Sequence, residues 1–156
     1  MPTDPTASDS AAAPTIDPRS PRFGAVITSA VLALTILLGP GWGLPLLVLQ
    51  ALVFAAGALL GLRNHPYGWL FRTFVRPRLG APTELEDARP PRFAQTVGLV
   101  FALAGIGGAL AALPAVFYVA VGFALVAALL NAVFNFCLGC ELYLVTHRLA
   151  AIFGTD

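Results

Sequence analysis

Two cysteines in one short block are the residues best suited to chemistry in this chain. Cys137 and Cys140 lie in a Phe-Cys-Leu-Gly-Cys-Glu block and are the only two cysteines among the 156 residues. Their spacing serves dithiol/disulfide exchange, sulfur carriage or half of a metal site. A complete zinc site would also need His65 and His147, whose spacing fits no zinc-finger pattern. We therefore predict a redox or sulfur-carrying thiol pair, and we expect neither a metal nor a cofactor.

The reactivity of this pair depends on where the surrounding helix ends. If it ends near Asn135, Cys137 lies near the start of a following helix over 141–153, and a helix N-terminus favours a thiolate. If the helix is continuous, both sulfurs share one face and the activation is weaker. Glu141 opposes thiolate formation in either case. The remaining alternative is a pair of buried or lipid-facing cysteines without a role.

The composition indicates that the elements holding this pair are membrane spans. Charged residues make up 11% of the chain and hydrophobic ones 58%, whereas about a quarter of a soluble domain is charged. A domain of this size buries only about 70% of its chain surface, which excludes a soluble monomer. The net charge of +1 argues against a nucleic-acid partner. The partner expected for such a surface is the lipid bilayer.

Four uncharged apolar stretches predict an all-α membrane protein with four transmembrane helices. They cover residues 23–38, 44–62, 93–113 and 115–136, close to the length of about 20 residues that crosses a bilayer. Gly/Pro-rich turns link the first stretch to the second and the third to the fourth, so each pair forms a hairpin. Gly57 and Gly61 form a small-residue face in the second span, which predicts helix packing or a homo-oligomer contact.

An internal repeat organises the chain. Residues 17–24 read Asp-Pro-Arg-Ser-Pro-Arg-Phe-Gly and residues 87–94 read Asp-Ala-Arg-Pro-Pro-Arg-Phe-Ala, so five of eight positions are identical at an offset of 70. Asn135 and Gly139 likewise match Asn64 and Gly68, residue types that suit a helix end. The repeated anchor residues are Asp17, Arg19, Arg22, Asp87, Arg89 and Arg92. We expect both copies to run in the same direction, with Arg22 and Arg92 reaching toward lipid headgroups.

The repeat sets the predicted domain boundaries. Residues 1–16 form a disordered tail, 17–76 the first repeat, 77–86 a linker and 87–153 the second repeat with its C-terminal helix. Within the first repeat, residues 67–75 have the period of an amphipathic helix. It would lie on the inner membrane surface or pack as a loop helix on the bundle.

The arginines predict the orientation in the membrane. All nine basic residues are arginines, and they fall in the tail, the central link and the C-terminal end, never in the two short turns. The positive-inside rule then places both termini in the cytoplasm and the cysteines on the same side of the cytoplasmic membrane. Because that compartment is reducing, a stable structural disulfide is not expected.

Three sequence blocks resemble a known family. The Pro-Pro-Arg-Phe-Ala-Gln anchor at 90–95, the His-Pro-Tyr-Gly turn at 65–68 and the Phe-Cys-Leu-Gly-Cys-Glu-Leu-Tyr block at 136–143 are similar to those of domain of unknown function 4395. This is a bacterial membrane family common in actinobacteria. The resemblance covers about residues 16–149 and implies an integral membrane protein without an assigned activity. It also implies a thioredoxin-like or sulfurtransferase partner, since members often neighbour such proteins.

These observations lead to one main hypothesis and two alternatives. The main hypothesis is a membrane-anchored dithiol in which Cys137 or Cys140 exchanges electrons or sulfur with a cytoplasmic partner, with Cys137 favoured as the attacking thiol. The first alternative is a small transporter or channel subunit, although its spans lack ionisable groups. The second is a scaffold without chemistry of its own, and a stand-alone enzyme is not expected.

Overall fold

The computed structural model describes residues 13–154, and these residues are mainly helical. The elements in chain order are β1 (Thr15–Ile16), α1 (Arg19–Trp42), α2 (Leu44–Ala55), α3 (Pro66–Leu70), α4 (Arg76–Leu79), β2 (Glu86–Asp87), α5 (Arg89–Leu110), α6 (Pro114–Phe134) and α7 (Leu138–Phe153). One π-helical turn continues α2 over Ala56–Leu60, and another joins α3 to α4 over Phe71–Val75. A short 3-10 turn covers Leu62–Asn64. The all-α prediction is therefore confirmed.

Three of the helices are long and apolar enough to cross a membrane: α1, α5 and α6. α1 contains the first predicted span, and α5 and α6 contain most of the third and of the fourth. Three helices of this length and composition are typical of a membrane protein. The apolar helix over Leu44–Leu60, which covers most of the second predicted span, is shorter. The helix ends in a π-turn, which rises less per residue than an α-helix does, so the segment spans a still shorter distance.

Helices α1, α2, α5 and α6 form a bundle in which each one packs on two of the others. α1 contacts α2 and α6, and α5 contacts the same two helices from the opposite side. The buried core between them includes Leu32, Leu47, Phe54, Phe117 and Val121. Because lipid supplies little hydrophobic drive between helices, this close packing must hold the bundle together.

Glycines allow the helices to approach one another. A Cβ added to Gly105 of α5 would lie 3.0 Å from side-chain atoms of both Leu47 and Val121, and one added to Gly98 would lie 2.8 Å from the Phe54 ring. Both glycines lie within the third predicted span. Their contacts place these two positions of α5 inside the bundle.

A pair of short strands ties the starts of α1 and α5 together. β1 and β2 are antiparallel, with Thr15 opposite Asp87 and Ile16 opposite Glu86. Residues 15–16 were predicted to belong to the disordered tail, and Glu86 to the linker. The structure instead pairs them, because two extended segments that lead into helices of the same bundle can satisfy each other's backbone groups. Residues 1–12 of the predicted tail lie outside the described residues.

Arg22 and Arg92 each bind the end of a helix in the other half of the chain. Arg22 Nε donates to the carbonyl of Ala132 in α6 at 3.1 Å, and Arg92 Nε donates to the carbonyl of Ala58 at 2.8 Å. Arg92 Nη2 also donates to the carbonyl of Leu59 at 3.2 Å. The carbonyls near a helix end lack partners within the helix, which explains why they attract these guanidinium groups. We expected both arginines to reach toward lipid headgroups, whereas in the structure their side chains bind these carbonyls.

The segment between the two halves packs on the bundle. Tyr67 and Phe71 are buried, whereas Trp69 and Phe74 are exposed. The Tyr67 hydroxyl donates to Gln50 Oε1 at 2.8 Å, and Gln50 Nε2 lies 3.3 Å from the Thr28 hydroxyl. Of the two predictions for this segment, the structure therefore favours the loop helix packed on the bundle, held to α1 and α2 by a buried polar chain.

Candidate functional site

The cysteine pair follows a break between two helices. α6 ends at Phe134, and Asn135 adopts a left-handed conformation with φ +54° and ψ +30°. Asparagine adopts this conformation more readily than most residues do. Cys137 is extended and caps the start of α7. The structure thus decides between the two sequence alternatives: α6 and α7 are separate helices, and Cys137 lies directly before the second.

A disulfide joins Cys137 to Cys140 across the first turn of α7. Their Cα atoms are 5.2 Å apart, a usual separation for a disulfide. The backbone N–H of Cys140 donates to Cys137 Sγ at 3.3 Å, and both residues are partly exposed. A stable disulfide is not expected in a reducing compartment, yet the two sulfurs are joined in the structure. The local geometry brings the sulfurs together whichever state the compartment favours.

Gly139, between the two cysteines, lies against α5. A Cβ added to Gly139 would lie 2.5 Å from the Cβ of Ala94 and 2.6 Å from its Cα. No ordinary side chain fits there without moving one helix away from the other. The residue predicted to mark a helix end therefore sets how closely the cysteine-bearing turn approaches the bundle.

Aromatic contacts continue this packing along α7. The ring centroids of Phe93 and Tyr143 are 5.8 Å apart, and those of Tyr143 and His147 are 4.5 Å apart. Since Gly139 contacts Ala94 and Tyr143 contacts Phe93, α7 runs back toward the start of α5. The cysteines consequently lie near the level of Ala94, about 7 Å along α5 from Arg89.

The Asp and Arg residues of the repeated anchor bind each other at the starts of α1 and α5. The Asp17 carboxylate accepts bonds from the Arg19 backbone N–H at 3.0 Å and from its side chain at 3.0–3.1 Å. Asp87 accepts the same set from Arg89, at 2.9 Å from the backbone and 2.6–3.1 Å from the side chain. Each aspartate therefore satisfies an N–H group at a helix start.

These bonds shift the pKa of both carboxyl groups. Partial burial works to raise the pKa of Asp17, but the side-chain and backbone bonds from Arg19 outweigh it and lower that pKa. The side-chain bond from Arg89 is the main cause of the lowered pKa of Asp87. Both carboxylates thus stay charged well below neutral pH and keep their arginines in place.

The two histidines lie apart from the cysteines. His147 packs on Tyr143, whereas His65 is 5% exposed and caps the start of α3. Burial lowers the pKa of His65, and the nearby Gln95 side chain offsets part of that shift. Within residues 13–154, no three His, Cys, Asp or Glu side chains are grouped closely enough to hold a metal ion.

Gly57 and Gly61, the predicted small-residue face, have different surroundings. A Cβ on Gly57 would lie 2.7 Å from His65 Cδ2 and 2.8 Å from Gln95 Cγ, so this glycine faces the inside of the bundle. Gly61 has φ +83° and ends the π-turn after α2. A homo-oligomer contact through these residues stays a prediction.

Sequence reasoning missed the meeting of His65 with Gln95 beside Gly57. His65 Nε2 and Gln95 Oε1 are buried polar atoms without a hydrogen-bond partner among the described residues. The two residues lie in separate sequence blocks, at 65–68 and 90–95, and neither block indicates that they meet. Only the position of His65 could be inferred from sequence: it precedes a proline, and a residue before proline adopts an extended conformation that suits a helix cap.

Comparison with known proteins identifies the family. The family model described as Domain of unknown function (DUF4395) matches residues 16–148, and the chain belongs to that family. No curated protein and no solved structure matches the chain.

Proposed function

We propose that this member of the DUF4395 family is a membrane-anchored dithiol protein, in which Cys137 and Cys140 exchange electrons with a soluble partner. The observation that carries the proposal is the closed disulfide at the first turn of α7, with the Cys140 amide directed at Cys137 Sγ at 3.3 Å. A pair that can close in this way can also store and release two electrons.

The position of Cys137 supports its role as the attacking thiol. A cysteine that caps a helix meets the positive end of the helix dipole and the free N–H groups of the first turn. Both stabilise the thiolate, which is the form that attacks a disulfide. Glu141 also lies in this first turn, and its charge works against the thiolate. We infer that the helix start and the Cys140 amide outweigh it.

The exchange proceeds in two balanced steps. A thiolate of the reduced partner attacks Cys137 Sγ, the bond between the two sulfurs breaks, and Cys140 leaves as a thiolate that takes up a proton. The second thiol of the partner then attacks the mixed disulfide. Cys137 leaves as the second thiol, and the partner carries the new disulfide. Two electrons pass from the partner to this chain, and the reverse sequence oxidises the chain again.

The contacts between helix ends support four spans. The pairing of β1 with β2 brings the starts of α1 and α5 to one level, and Arg22 and Arg92 bring the ends of α6 and α2 to that level. The helix from 44 to 60 would then cross the same thickness as its neighbours despite its shorter length. Both termini would be cytoplasmic, with the cysteines on the cytoplasmic side.

The same contacts support a tandem repeat. Asp17 and Asp87 make matching bonds to Arg19 and Arg89, and Arg22 and Arg92 each bind the second helix of the other half. These equivalent contacts are what two hairpins related by an axis along the bundle would make. In this arrangement only the second copy carries cysteines, so the thiols serve function rather than the fold.

Trapping a partner tests the proposal. In cells, Cys140→Ser leaves Cys137 free to form a mixed disulfide that no second thiol can resolve. We expect Cys140→Ser to accumulate adducts with one thioredoxin-like or sulfurtransferase protein, seen on non-reducing gels and identified by mass spectrometry. The matched Cys137→Ser variant should accumulate far less, and the double variant none. Equal adducts with Cys137→Ser, or none with either variant, would contradict the proposed role of Cys137.

A further inference from the structure

A wide cleft opens at the end of the bundle where α1 and α5 begin. Its volume is about 1130 Å³. It is lined by the strand before α1, the start of α1, the turn after α2, the segment from α3 to α4 and the start of α5. Neither cysteine lines it, so it is distinct from the dithiol site.

The cleft is strongly basic. The lining includes five arginines, and Asp17 is the one carboxylate among the described residues that line it. The arginines are Arg63, Arg72, Arg76, Arg89 and Arg92. Such an excess of guanidinium groups around a cavity attracts an anion, and arginine forms paired bonds with phosphate oxygens.

Much of this positive charge is not neutralised within the described residues. Arg89 pairs with Asp87, but Arg92 and Arg72 bind backbone carbonyls, which carry no net charge. Arg76 lies within the electrostatic range of Asp17, but that carboxylate forms its ion pair with Arg19. No hydrogen bond or ion pair joins the guanidinium groups of Arg63 and Arg76 to another residue within 13–154.

Buried polar atoms beside the arginines also lack partners. His65 is 5% exposed and lines the cleft with Gln95. His65 Nε2 and Gln95 Oε1 lie near each other, but neither atom makes a hydrogen bond of good geometry within the described part of the chain. A buried polar group without a well-formed hydrogen bond destabilises the fold, and a ligand or its bound water would supply better partners.

We propose that this cleft binds a phosphate group carried by a larger molecule. Arg63 and Arg76 would bind its oxygens, while His65 and Gln95 would contact the part that enters deepest. A bare phosphate would leave most of the volume empty, since sites for small organic ligands measure roughly 300–1,000 Å³. The phosphate would come from an anionic phospholipid headgroup or from a soluble phosphorylated compound.

Binding to purified full-length protein in neutral detergent tests the proposal and separates the two sources. The probes are phosphatidylglycerol, phosphatidylcholine as the zwitterionic control, and inorganic pyrophosphate. We compare the wild type with Arg63→Gln/Arg76→Gln and with Arg78→Gln/Arg148→Gln. The second pair removes the same charge from arginines outside the cleft lining. Apparent affinity is read from the ligand-dependent shift in melting temperature.

We expect one phosphate probe to bind the wild type and the Arg78/Arg148 variant alike, and to bind the Arg63/Arg76 variant about tenfold or more weakly. Preference for phosphatidylglycerol over phosphatidylcholine would identify a lipid source, and binding of pyrophosphate a soluble one. Equal losses in both double variants, or no binding of either phosphate probe, would overturn the proposal.

A second measurement uses the wild type alone, so it does not depend on whether the variants fold. Phenylglyoxal modifies accessible arginines, and mass spectrometry locates the modified residues. The bound probe should protect Arg63 and Arg76 but leave Arg78 and Arg148 reactive. Protection of all four alike, or of none, would contradict a phosphate site in the cleft.

Discussion

At the scale of single residues, Gly139 shows how the cysteine pair is held against the bundle. It lies between Cys137 and Cys140, and the turn that contains all three rests directly on Ala94. A larger residue would push the turn outward and change the spacing between the sulfurs and α5. The glycine between the cysteines is thus required by packing.

Gly139→Ala should destabilise the protein by about 1–3 kcal/mol, the usual cost of overfilling a packed contact. The added Cβ would lie 2.5 Å from that of Ala94. Gly107→Ala is the matched control, because a Cβ at Gly107 of α5 meets nothing within 4 Å. Thermal unfolding in detergent measures both. A loss no larger than that of Gly107→Ala would show that the α5–α7 contact is looser than described.

His65 should make stability depend on pH. Burial lowers its pKa in the folded state, and its ordinary value is about 6.5. The unfolded state therefore binds more protons as the pH falls below about 6.5, so stability is complete above that value and is lost as the pH approaches the folded pKa.

Melting temperatures between pH 8 and pH 5 measure this effect. We expect the wild type and His147→Gln to lose stability over the acidic part of that range, and His65→Gln to lose clearly less. Parallel curves for His65→Gln and the wild type would mean that another group causes the pH dependence.

At the scale of the elements, Arg22 and Arg92 connect the two halves of the chain. Each lies in the first turns of one helix and binds carbonyls at the end of another. The π-turn at 56–60 changes the bonding pattern of the carbonyls that Arg92 reaches. The short hairpin turns connect α1 to α2 and α5 to α6. Arg22 and Arg92 add the connections from α1 to α6 and from α5 to α2.

Arg92→Gln should lower stability by roughly 1–2 kcal/mol, since a hydrogen bond from a charged donor is lost at two carbonyls. Arg22→Gln, with one such bond in an exposed position, should cost less. Arg78→Gln serves as the control for loss of charge alone. Thermal unfolding with a matched detergent and salt concentration ranks the three. If Arg78→Gln lowered the stability as much as Arg92→Gln did, the change in net charge would explain the effect instead of the lost hydrogen bonds.

Part of this arrangement could be predicted from sequence because it is local. Apolar runs bounded by Gly and Pro predicted helices, and Asn135 predicted a helix end because it tolerates a left-handed backbone. The pairing of β1 with β2 and the meeting of His65 with Gln95 could not be predicted, since each joins segments far apart in the chain. The disulfide could not be predicted, because the redox state was inferred from the predicted compartment and not from the local geometry of the two cysteines.

The alignment of the two halves in the structure differs by one residue from the alignment of their sequences. The matched Asn and Gly residues placed Cys137 opposite Pro66. In the structure, His65 and Cys137 are the residues that cap α3 and α7. The turns that follow the two hairpins differ in form, with a π-turn and a 3-10 turn in the first half and a left-handed Asn135 in the second. Sequence identity alone could not reveal this difference.

At the scale of the whole molecule, the orientation in the membrane decides which compartment the cysteines meet. Four spans with arginines at one end predict that both termini are cytoplasmic. A protease-cleavable tag at either terminus should then resist external protease in spheroplasts and be cleaved in inverted vesicles. Cleavage of one tag from outside would favour three spans, with α2 failing to cross. Cleavage of both from outside would reverse the orientation.

The most direct test of the central claim is the redox titration of Cys137 and Cys140 in the native membrane. Spheroplasts and inverted vesicles are equilibrated with thiol/disulfide buffers, and free thiols are then counted from the mass added by an impermeant maleimide. A functional dithiol on the cytoplasmic side would expose both thiols together, as a single two-electron transition, and only in inverted vesicles. Thiols that stay unreactive at every buffer potential on both sides, or that titrate independently, would contradict a functional dithiol.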